Sequence, residues 1–262
     1  MRATINGIDM NYEVHGAGEP VLFIHGFPLS GEMWKSAAAD LKSGYMVIVP
    51  DLRGHGGSAA TKEASMADYA DDLAALLDHV RETRPVMVVG LSMGGYVAME
   101  FYRRHRARVR ALVLVDTRAE ADSPEAAKGR KDTAEKVLKE GSKVVADAMI
   151  GKLFAPDAPA DMKSKWQAIM AATAPAGTAA ALLAMAGRVD SMPTLQAMKL
   201  PVLVVVGEQD VITPPDCAQR MHVAAKGSQL ETVAGAGHMV PVEKPGGFTI
   251  TLKKFLAQVT KK

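Results

Sequence analysis

The segment Gly90–Gly94, with the sequence G-L-S-M-G, constrains the possible folds of this chain more than any other feature. It follows the apolar run 85–89 and precedes a segment typical of a helix, so it predicts a strand, a sharp turn and a helix in succession. In that context the pattern G-x-S-x-G indicates a nucleophile elbow, which holds the hydroxyl of Ser92 clear of the sheet. We expect a strained backbone at Ser92. Glycine is expected on either side because a Cβ there would collide with the neighbouring strand or helix.

Apolar runs of strand length alternate with segments of helical spacing along most of the chain, and this alternation predicts an α/β fold. We predict a mostly parallel sheet of about eight strands that is flanked by helices. Between about 118 and 190 the sequence is rich in Ala, Lys and Glu and has helical periods but no buried-strand run. We therefore predict a helical cap subdomain at 118–190, inserted after the sixth strand, and a core domain formed by 1–117 and 191–262. Strands are predicted at 2–5, 10–15, 21–24, 45–49, 86–89, 109–115, 201–206 and 230–233, with helices at 32–41, 67–81, 96–102, 215–225 and 247–259.

Two further side chains of chemical interest follow predicted strands, at the carboxyl ends where open α/β sheets bind their ligands. Asp210 comes just after the seventh strand, and His238 lies in a glycine-rich loop after the eighth. A serine hydroxyl is a poor nucleophile unless a base takes its proton, and that base needs an orienting group of its own. Ser92, Asp210 and His238 could together meet both needs. Asp116 also ends a predicted strand and is an alternative acid.

Four motifs fall in a consistent order at the predicted strand ends: His25–Pro28, Asp51–Ser58, Gly90–Gly94, and Gly207–Asp210 followed by Gly237-His238. Together they resemble the motifs of the α/β-hydrolase superfamily, and more narrowly those of its small, capped esterase and enol-lactonase members. The resemblance covers nearly the whole chain. It implies an α/β-hydrolase fold with its cap after the sixth strand.

The resemblance implies a role for each residue of the triad. Ser92 would attack a carbonyl carbon, His238 would take its proton, and Asp210 would orient the imidazole and stabilise its protonated form. We prefer Asp210 to Asp116 as the acid because the sequence around Asp210 matches the family's usual acid motif. Replacing each aspartate by asparagine in turn would decide between them.

The resemblance also implies an oxyanion hole formed by the backbone N–H groups of Phe27 and Met93. The first N–H lies in the loop after the third strand, and the second directly follows the nucleophile. His25, in the same loop as Phe27, is expected to be structural and to hold that loop in place.

The predicted cap should lie over Ser92, exclude water and shape the substrate pocket. Phe154, Trp166, Val211 and Met239 are predicted to line this pocket, with Met149, Met162, Met170 and Met185 as further apolar candidates. Most of the apolar cap residues are expected to form the core of the cap instead. Few charged residues are evident that could hold an ionised substrate, so we expect small to medium, mainly neutral esters.

The expected activity is hydrolysis of carboxylic esters by way of an acyl-enzyme. A lactonase of the 3-oxoadipate enol-lactone type is the main alternative, and a cofactor-free perhydrolase is another, because peroxide can replace water on the same triad. A haloalkane dehalogenase is disfavoured, since its chemistry needs a carboxylate nucleophile where this chain has Ser92. The alternative of a different class is a ligand-binding protein on a hydrolase fold, because fold alone does not determine function.

Composition narrows the remaining classes of function. The net charge is +2 and no Lys/Arg cluster is evident, which argues against a nucleic-acid partner. The single cysteine, Cys217, excludes an internal disulfide and is typical of a reducing compartment. No signal peptide is recognised, so we expect a cytoplasmic protein. We also expect a small-molecule substrate, no membrane partner, no cofactor and no metal. A homo-oligomer is possible on the sequence alone. The uncharged stretch 167–187 is predicted to be two packed helices joined at Pro175 rather than a membrane span.

Overall fold

The structure, a computed structural model, describes residues 1–261, and within that range eight strands form one sheet. Their order across the sheet is β1 (Arg2–Ile5), β2 (Ile8–His15), β4 (Tyr45–Pro50), β3 (Glu19–Ile24), β5 (Val86–Leu91), β6 (Val109–Val115), β7 (Val202–Gly207) and β8 (Gln229–Val233). The pairs β1–β2 and β2–β4 are antiparallel, and the other neighbouring strands are parallel. The predicted mostly parallel sheet is thus confirmed. Lys262, the last residue of the predicted core domain, lies outside the described residues.

Helices cover both faces of the sheet and confirm the predicted α/β fold. The central strands are apolar at almost every position because both of their faces are buried. In β3, Leu22 and Ile24 belong to one buried apolar cluster, whereas Val21 and Phe23 belong to another. The helices are α1 (Lys35–Leu41), α2 (Met66–His79), α3 (Met93–Arg104), α4 (Pro124–Glu140), α5 (Lys143–Leu153), α6 (Ala160–Ala172), α7 (Pro175–Ala186), α8 (Met192–Ala197), α9 (Pro215–Ala224), α10 (Val240–Glu243) and α11 (Pro245–Thr260).

The helical insertion after the sixth strand consists of α4 to α7, which lie between β6 and β7 in the chain and within the predicted range 118–190. Hydrogen bonds tie it to the loops at the carboxyl edge of the sheet. The hydroxyl of Thr173 donates to the carbonyl of Pro28 at 2.9 Å, and the N–H of His238 donates to the carbonyl of Leu153 at 3.1 Å. The insertion therefore contacts two of the loops that carry predicted site residues. The division into a core domain and a cap subdomain stays a prediction.

The uncharged stretch forms parts of two helices, as the sequence predicts. α6 ends at Ala172 and α7 begins at Pro175, and the two helices are bent by 93° relative to each other. Along residues 1–261 we find no single helix that is long and apolar enough to cross a membrane, although this bent pair meets the length and composition criteria when taken together.

Candidate active site

Ser92 occupies the turn between β5 and α3 in a backbone conformation that few residues other than glycine adopt. Its φ is 54° and its ψ is −114°. Its N–H donates to the carbonyl of Val115 at 2.9 Å, and its own carbonyl accepts the hydroxyl of Thr117 at 2.7 Å. Both partners lie at the end of β6 or just after it. The neighbouring strand therefore helps to hold the turn in its uncommon conformation.

Glycine is required on both sides of this turn. A Cβ built on Gly90 would lie 2.2 Å from the carbonyl oxygen of Gly94, and one built on Gly94 would lie 2.2 Å from the carbonyl oxygen of Ile24. Both obstacles are backbone atoms, so no change of rotamer could relieve either collision. The N-terminus of α3 can therefore pack against β5 and β3 only when both positions lack a side chain.

Asp210 and His238 form a buried pair after β7 and β8. Asp210 Oδ2 lies 2.8 Å from His238 Nδ1, and the two side chains are 0% and 2% exposed. Asp210 also accepts the N–H groups of Ile212 at 2.8 Å and Thr213 at 3.0 Å, as well as the Thr213 hydroxyl at 2.7 Å. Burial alone would raise the pKa of Asp210, but the attraction of His238 and the hydrogen bonds from Thr213 outweigh it and lower the pKa. An ionised Asp210 orients the ring through Nδ1, so Nε2 is the ring nitrogen that this pair leaves available.

Asp116, the alternative acid, is equally buried but has different partners. Its Oδ1 accepts the N–H of Gly207 at 2.8 Å, and its Oδ2 accepts the N–H of Val240 at 3.1 Å. Burial, and then the nearby charge of Asp210, raise the pKa of Asp116 well above its usual value. Asp116 therefore ties the end of β7 to the segment that follows His238, whereas Asp210 contacts the imidazole itself.

Glu243, which sequence analysis overlooked, organises the loop that carries His238. Its Oε1 accepts the N–H of Gly237 at 2.9 Å and that of Met239 at 3.2 Å, on either side of the histidine. Its Oε2 accepts the N–H of Ala155 at 2.8 Å, in the segment after α5. One carboxylate thus connects the histidine loop to the helical insertion. Its only signal in the sequence is its position shortly after the histidine, which no motif marks.

The loop after β3 is held in place by His25, as expected from the sequence. The buried ring donates from Nδ1 to the carbonyl of Gly26 at 2.8 Å and accepts the N–H of Leu52 on Nε2 at 2.9 Å. Burial lowers the pKa of His25, which favours the neutral ring that this pattern needs. Among the hydrogen bonds of the described residues, none is donated by the N–H groups of Phe27 or Met93. These are the two groups predicted to form the oxyanion hole.

A cavity of about 500 Å³ is lined both by Ser92 and by helices of the insertion. Ile212, whose N–H donates to Asp210, lines the same cavity, so Ser92 and the loop that follows Asp210 border one space. The apolar part of the lining includes Met149 and Met185, two of the predicted candidates. A volume of this size is typical of a site for a small molecule.

Several other predicted lining residues lie elsewhere. Phe154, Trp166 and Met239 are 5%, 3% and 0% exposed and do not line this cavity. They pack in the apolar cluster that also contains Met170, and Met162 packs against the same cluster. Burying an aromatic ring removes a large apolar surface from water and so stabilises the fold. Here the rings are buried where the insertion packs against the core, not in the pocket. The pocket lining predicted from the sequence is corrected accordingly.

The fourth predicted lining residue, Val211, is 63% exposed. Its neighbour Ile212 lines the cavity in its place. The hydrogen bonds from Ile212 and Thr213 to Asp210 determine the course of this turn, and the sequence alone did not indicate which of two adjacent apolar side chains it directs inwards.

The cavity lining contains charged side chains, and they belong to the insertion. Arg130 of α4 and Lys152 of α5 both line it, and among the described residues no Asp or Glu does. A mainly neutral substrate was expected because the insertion offered few suitable charges. That expectation took no account of which charged side chains line the cavity, and it stays a prediction.

The carboxylates of the site are engaged in hydrogen bonds rather than arranged as a metal centre. Asp116, Asp210 and Glu243 each accept at least two backbone N–H groups. In the part of the chain that the structure describes, no group of three or more His, Cys, Asp or Glu side chains is placed to hold a metal ion. We therefore assign no metal ligands among these residues.

Comparison with known protein sequences gives one consistent result. The model of the family described as alpha/beta hydrolase fold matches residues 19–245 of the chain. A non-heme chloroperoxidase from Kitasatospora aureofaciens is 31% identical to the chain, over 92% of this chain and 94% of that protein.

Two solved structures are similar to the chain over almost its full length. A thermophilic esterase from Thermogutta terrifontis, with malate bound, has a TM-score of 0.96 and 40% identity and covers 99% of this chain and 98% of its own. The enol-lactonase from Burkholderia xenovorans LB400 has a TM-score of 0.91 and 26% identity, with 98% and 100% covered. The similarity therefore includes the helical insertion as well as the sheet.

Proposed function

The chain belongs to the alpha/beta hydrolase fold family, and from that premise we propose that it is a serine hydrolase of carboxylic esters, with Ser92, His238 and Asp210 as its catalytic triad. The observation that carries the proposal is the buried Asp210–His238 hydrogen bond of 2.8 Å at the sheet edge that bears the Ser92 elbow. The similarity to an esterase over nearly the whole chain supports the same reaction class.

In the first half of the proposed reaction, Ser92 Oγ attacks the ester carbonyl carbon while His238 Nε2 takes the hydroxyl proton. The carbonyl oxygen gains negative charge and is stabilised by the N–H groups of Phe27 and Met93. When the tetrahedral intermediate collapses, the bond to the alcohol breaks. The departing alkoxide takes the proton from His238, and the acyl group stays on Ser92.

In the second half, water attacks the acyl carbon and gives a proton to His238. The second tetrahedral intermediate uses the same two N–H groups, and its collapse breaks the bond to Ser92 Oγ. His238 returns the proton to the serine, and the acid product leaves. In both halves Asp210 stabilises the protonated imidazole, which explains why its carboxylate is held ionised in a buried site.

A lactone is an internal ester, so the same steps would open it, and the similarity to an enol-lactonase supports that alternative. The similarity to a chloroperoxidase favours a second candidate, perhydrolysis. In that reaction hydrogen peroxide replaces water in the attack on the acyl-enzyme, and a peracid leaves when the proton returns to Ser92. The cavity of about 500 Å³ favours small to medium substrates in either case.

The proposal is tested with Ser92→Ala on p-nitrophenyl acetate. We expect kcat/KM to fall by about 10³-fold or more while the circular dichroism spectrum stays unchanged. Ser164→Ala, at an exposed position of α6, is the matched control and should keep wild-type turnover. Wild-type turnover in Ser92→Ala would contradict the proposal.

A panel of acyl esters of graded length and lactones, each with and without hydrogen peroxide, separates the esterase, lactonase and perhydrolase readings. The rival of a different class, a ligand-binding protein that retains an inactive triad, predicts no covalent labelling of Ser92 by a fluorophosphonate. Labelling of the wild-type protein but not of Ser92→Ala would exclude that rival, because phosphonylation requires an activated serine.

A further inference from the structure

We propose that Arg130 and Lys152 form an anionic subsite in the cavity beside Ser92, and that the substrate is an ester or lactone bearing a carboxylate away from the bond to be cleaved. This inference rests on the proposed function and specifies its substrate class. It starts from the observation that the charged residues of this lining are both cations.

Arg130 is oriented by the protein but keeps donors available. Its Nε donates to Asp122 Oδ2 at 2.5 Å, and its Nη1 donates to Met185 Sδ at 3.4 Å. Within residues 1–261 no acceptor is found for Nη2, and the side chain is 26% exposed. A guanidinium that is held on one side and accessible on the other is suited to a carboxylate, because it presents donors in a planar arrangement.

The charge of Arg130 is not fully balanced by its protein partner. Asp122 also pairs with Arg188, whose Nη1 lies 2.7 Å from Asp122 Oδ1 and whose side chain is 4% exposed. Burial would raise the pKa of Asp122, but the hydrogen bonds and charges of the two arginines outweigh it and lower the pKa, so this carboxylate is ionised. Two guanidinium groups thus share one negative charge. The guanidinium of Arg188 also stacks 4.3 Å from the centroid of the Tyr96 ring, which lines the cavity.

Lys152 adds a second positive charge from a different helix. It lies on α5, its residue is exposed, and in the described part of the chain it makes no ion pair. Cations that line a cavity with no anionic lining create a positive potential, which a bound anion offsets. Two helices of the insertion thus face the cavity with one sign of charge.

The rest of the lining indicates what joins the carboxylate to the ester. Val144, Met149 and Leu182 are apolar and line the same cavity as the two cations and Ser92. A hydrocarbon spacer packs against such side chains and buries apolar surface. The cavity is therefore suited to an acyl or alkoxy group with an apolar middle and an ionised end.

Equilibrium binding to the Ser92→Ala protein tests the subsite without any need for turnover. The probes are monomethyl adipate and methyl 5-carbamoylpentanoate, which have the same length but end in a carboxylate and a neutral amide. We expect the carboxylate to bind about tenfold or more tightly, because a hydrogen bond to a charged group is worth about that factor. The preference should shrink as salt is raised, because salt screens charges that water can reach.

Charge-removing substitutions on α4 and α5 then locate the subsite. In the Ser92→Ala background, Arg130→Gln and Lys152→Gln should each reduce the ratio of the two affinities by about tenfold. Lys128→Gln is the matched control, because Lys128 lies on α4, is 75% exposed and does not line the cavity. The ratio should not change in Lys128→Gln. Lys152→Gln keeps the test informative if Arg130→Gln fails to fold, because Lys152 takes part in no ion pair of the described residues, whereas Arg130 pairs with Asp122.

Equal binding within both this pair of probes and the acetylglycolate pair described below, no detectable binding of any of the four probes, or a ratio that Arg130→Gln and Lys152→Gln both leave unchanged would overturn the subsite. Each outcome is distinct from failure of the proposed hydrolase, which shows as absent Ser92-dependent turnover in the wild type. A second pair of probes, O-acetylglycolate and its amide, places the carboxylate in the alcohol half. A charge preference in either pair supports the subsite and shows which half carries the carboxylate.

Discussion

Replacing Asp210 by Asn should show which of the two buried aspartates supports the proposed catalysis. Asp210 Oδ2 lies 2.8 Å from His238 Nδ1, so its charge directly stabilises the imidazolium formed when the histidine takes a proton. Opposite unit charges about 4 Å apart interact by about 4 kcal/mol at an effective dielectric constant of about 20. Losing that stabilisation in the transition state would slow the reaction by about 10³-fold. The amide can also favour the wrong tautomer of the ring, so we expect kcat to fall by about 10³–10⁴-fold.

Asp116→Asn is the matched comparison, because it makes the same chemical change on a neighbouring strand end. Asp116 contacts two backbone N–H groups rather than the imidazole, and burial raises its pKa, so a neutral amide removes a charge that burial disfavours. An amide oxygen can keep one of the two N–H bonds, whereas the amide NH2 leaves the other N–H without an acceptor. We expect a stability loss of about 1–3 kcal/mol and a decrease in kcat of less than about tenfold.

The assay is steady-state hydrolysis of p-nitrophenyl acetate, with urea denaturation of each variant to separate lost activity from lost folding. The roles assigned to the two aspartates are contradicted if the folded Asp116→Asn protein loses as much activity as Asp210→Asn. They are also contradicted if Asp210→Asn keeps more than about a tenth of wild-type kcat. Either result would mean that the buried Asp210–His238 pair is not the one that matters in the transition state.

Three further predictions concern the elbow, the pH dependence and the histidine loop. Gly94→Ala should destabilise the protein by about 1–3 kcal/mol because its Cβ would meet a β3 carbonyl oxygen at 2.2 Å. Gly151→Ala is the control, because a Cβ at Gly151 would have no atom within 4 Å, and it should stabilise α5 by up to about 1 kcal/mol. Denaturation midpoints that shift in the same direction in both variants would contradict this prediction. The raised pKa of Asp116 means that the folded protein binds more protons than the unfolded chain, so this residue makes stability fall as pH rises above about 4. The stability deficit of Asp116→Asn relative to the wild type should therefore shrink as pH rises from 4 to 7. A constant difference across that range would count against the raised pKa. Glu243→Gln has only one carbonyl oxygen to accept the three N–H groups that the carboxylate accepts. The variant should lose about 1–3 kcal/mol of stability, and its kcat should fall because His238 is displaced. An unchanged kcat would show that the position of the loop does not depend on this carboxylate.

The sheet and the sites of its functional loops were predictable because their signals are local. A strand that is buried on both faces must be apolar at successive positions, and β5, β6 and β7 show this in their sequences. Since parallel strands present their carboxyl ends at one edge, residues that follow these strands were expected to lie near one another. The elbow was predictable for the same reason, because the collisions that require Gly90 and Gly94 arise within a few residues of the turn and on the adjoining strand.

The contacts of single carboxylates were less predictable. Asp116 and Asp210 both follow buried strands, and from the residues alone either could orient a histidine. Their roles differ because a turn aims Asp210 at His238, whereas Asp116 faces two backbone N–H groups. Glu243 was overlooked because its three hydrogen bonds join segments that are distant in sequence and share no motif.

From the sequence alone we predicted the alternation of strands and helices, the sharp turn at Ser92 and the set of residues that could carry the chemistry. These follow from backbone geometry and from the burial of apolar side chains, which leave a pattern in neighbouring residues. Which residues line the cavity depends on how the insertion packs over the sheet, and this became evident only in three dimensions. Helical spacing shows which residues of α4 share a face, but not which element that face meets, so the inward position of Arg130 appeared only once the insertion was packed over the sheet. Phe154 and Trp166 were likewise predicted to line the pocket because their side chains are large and apolar. In the structure both side chains are buried in the apolar core.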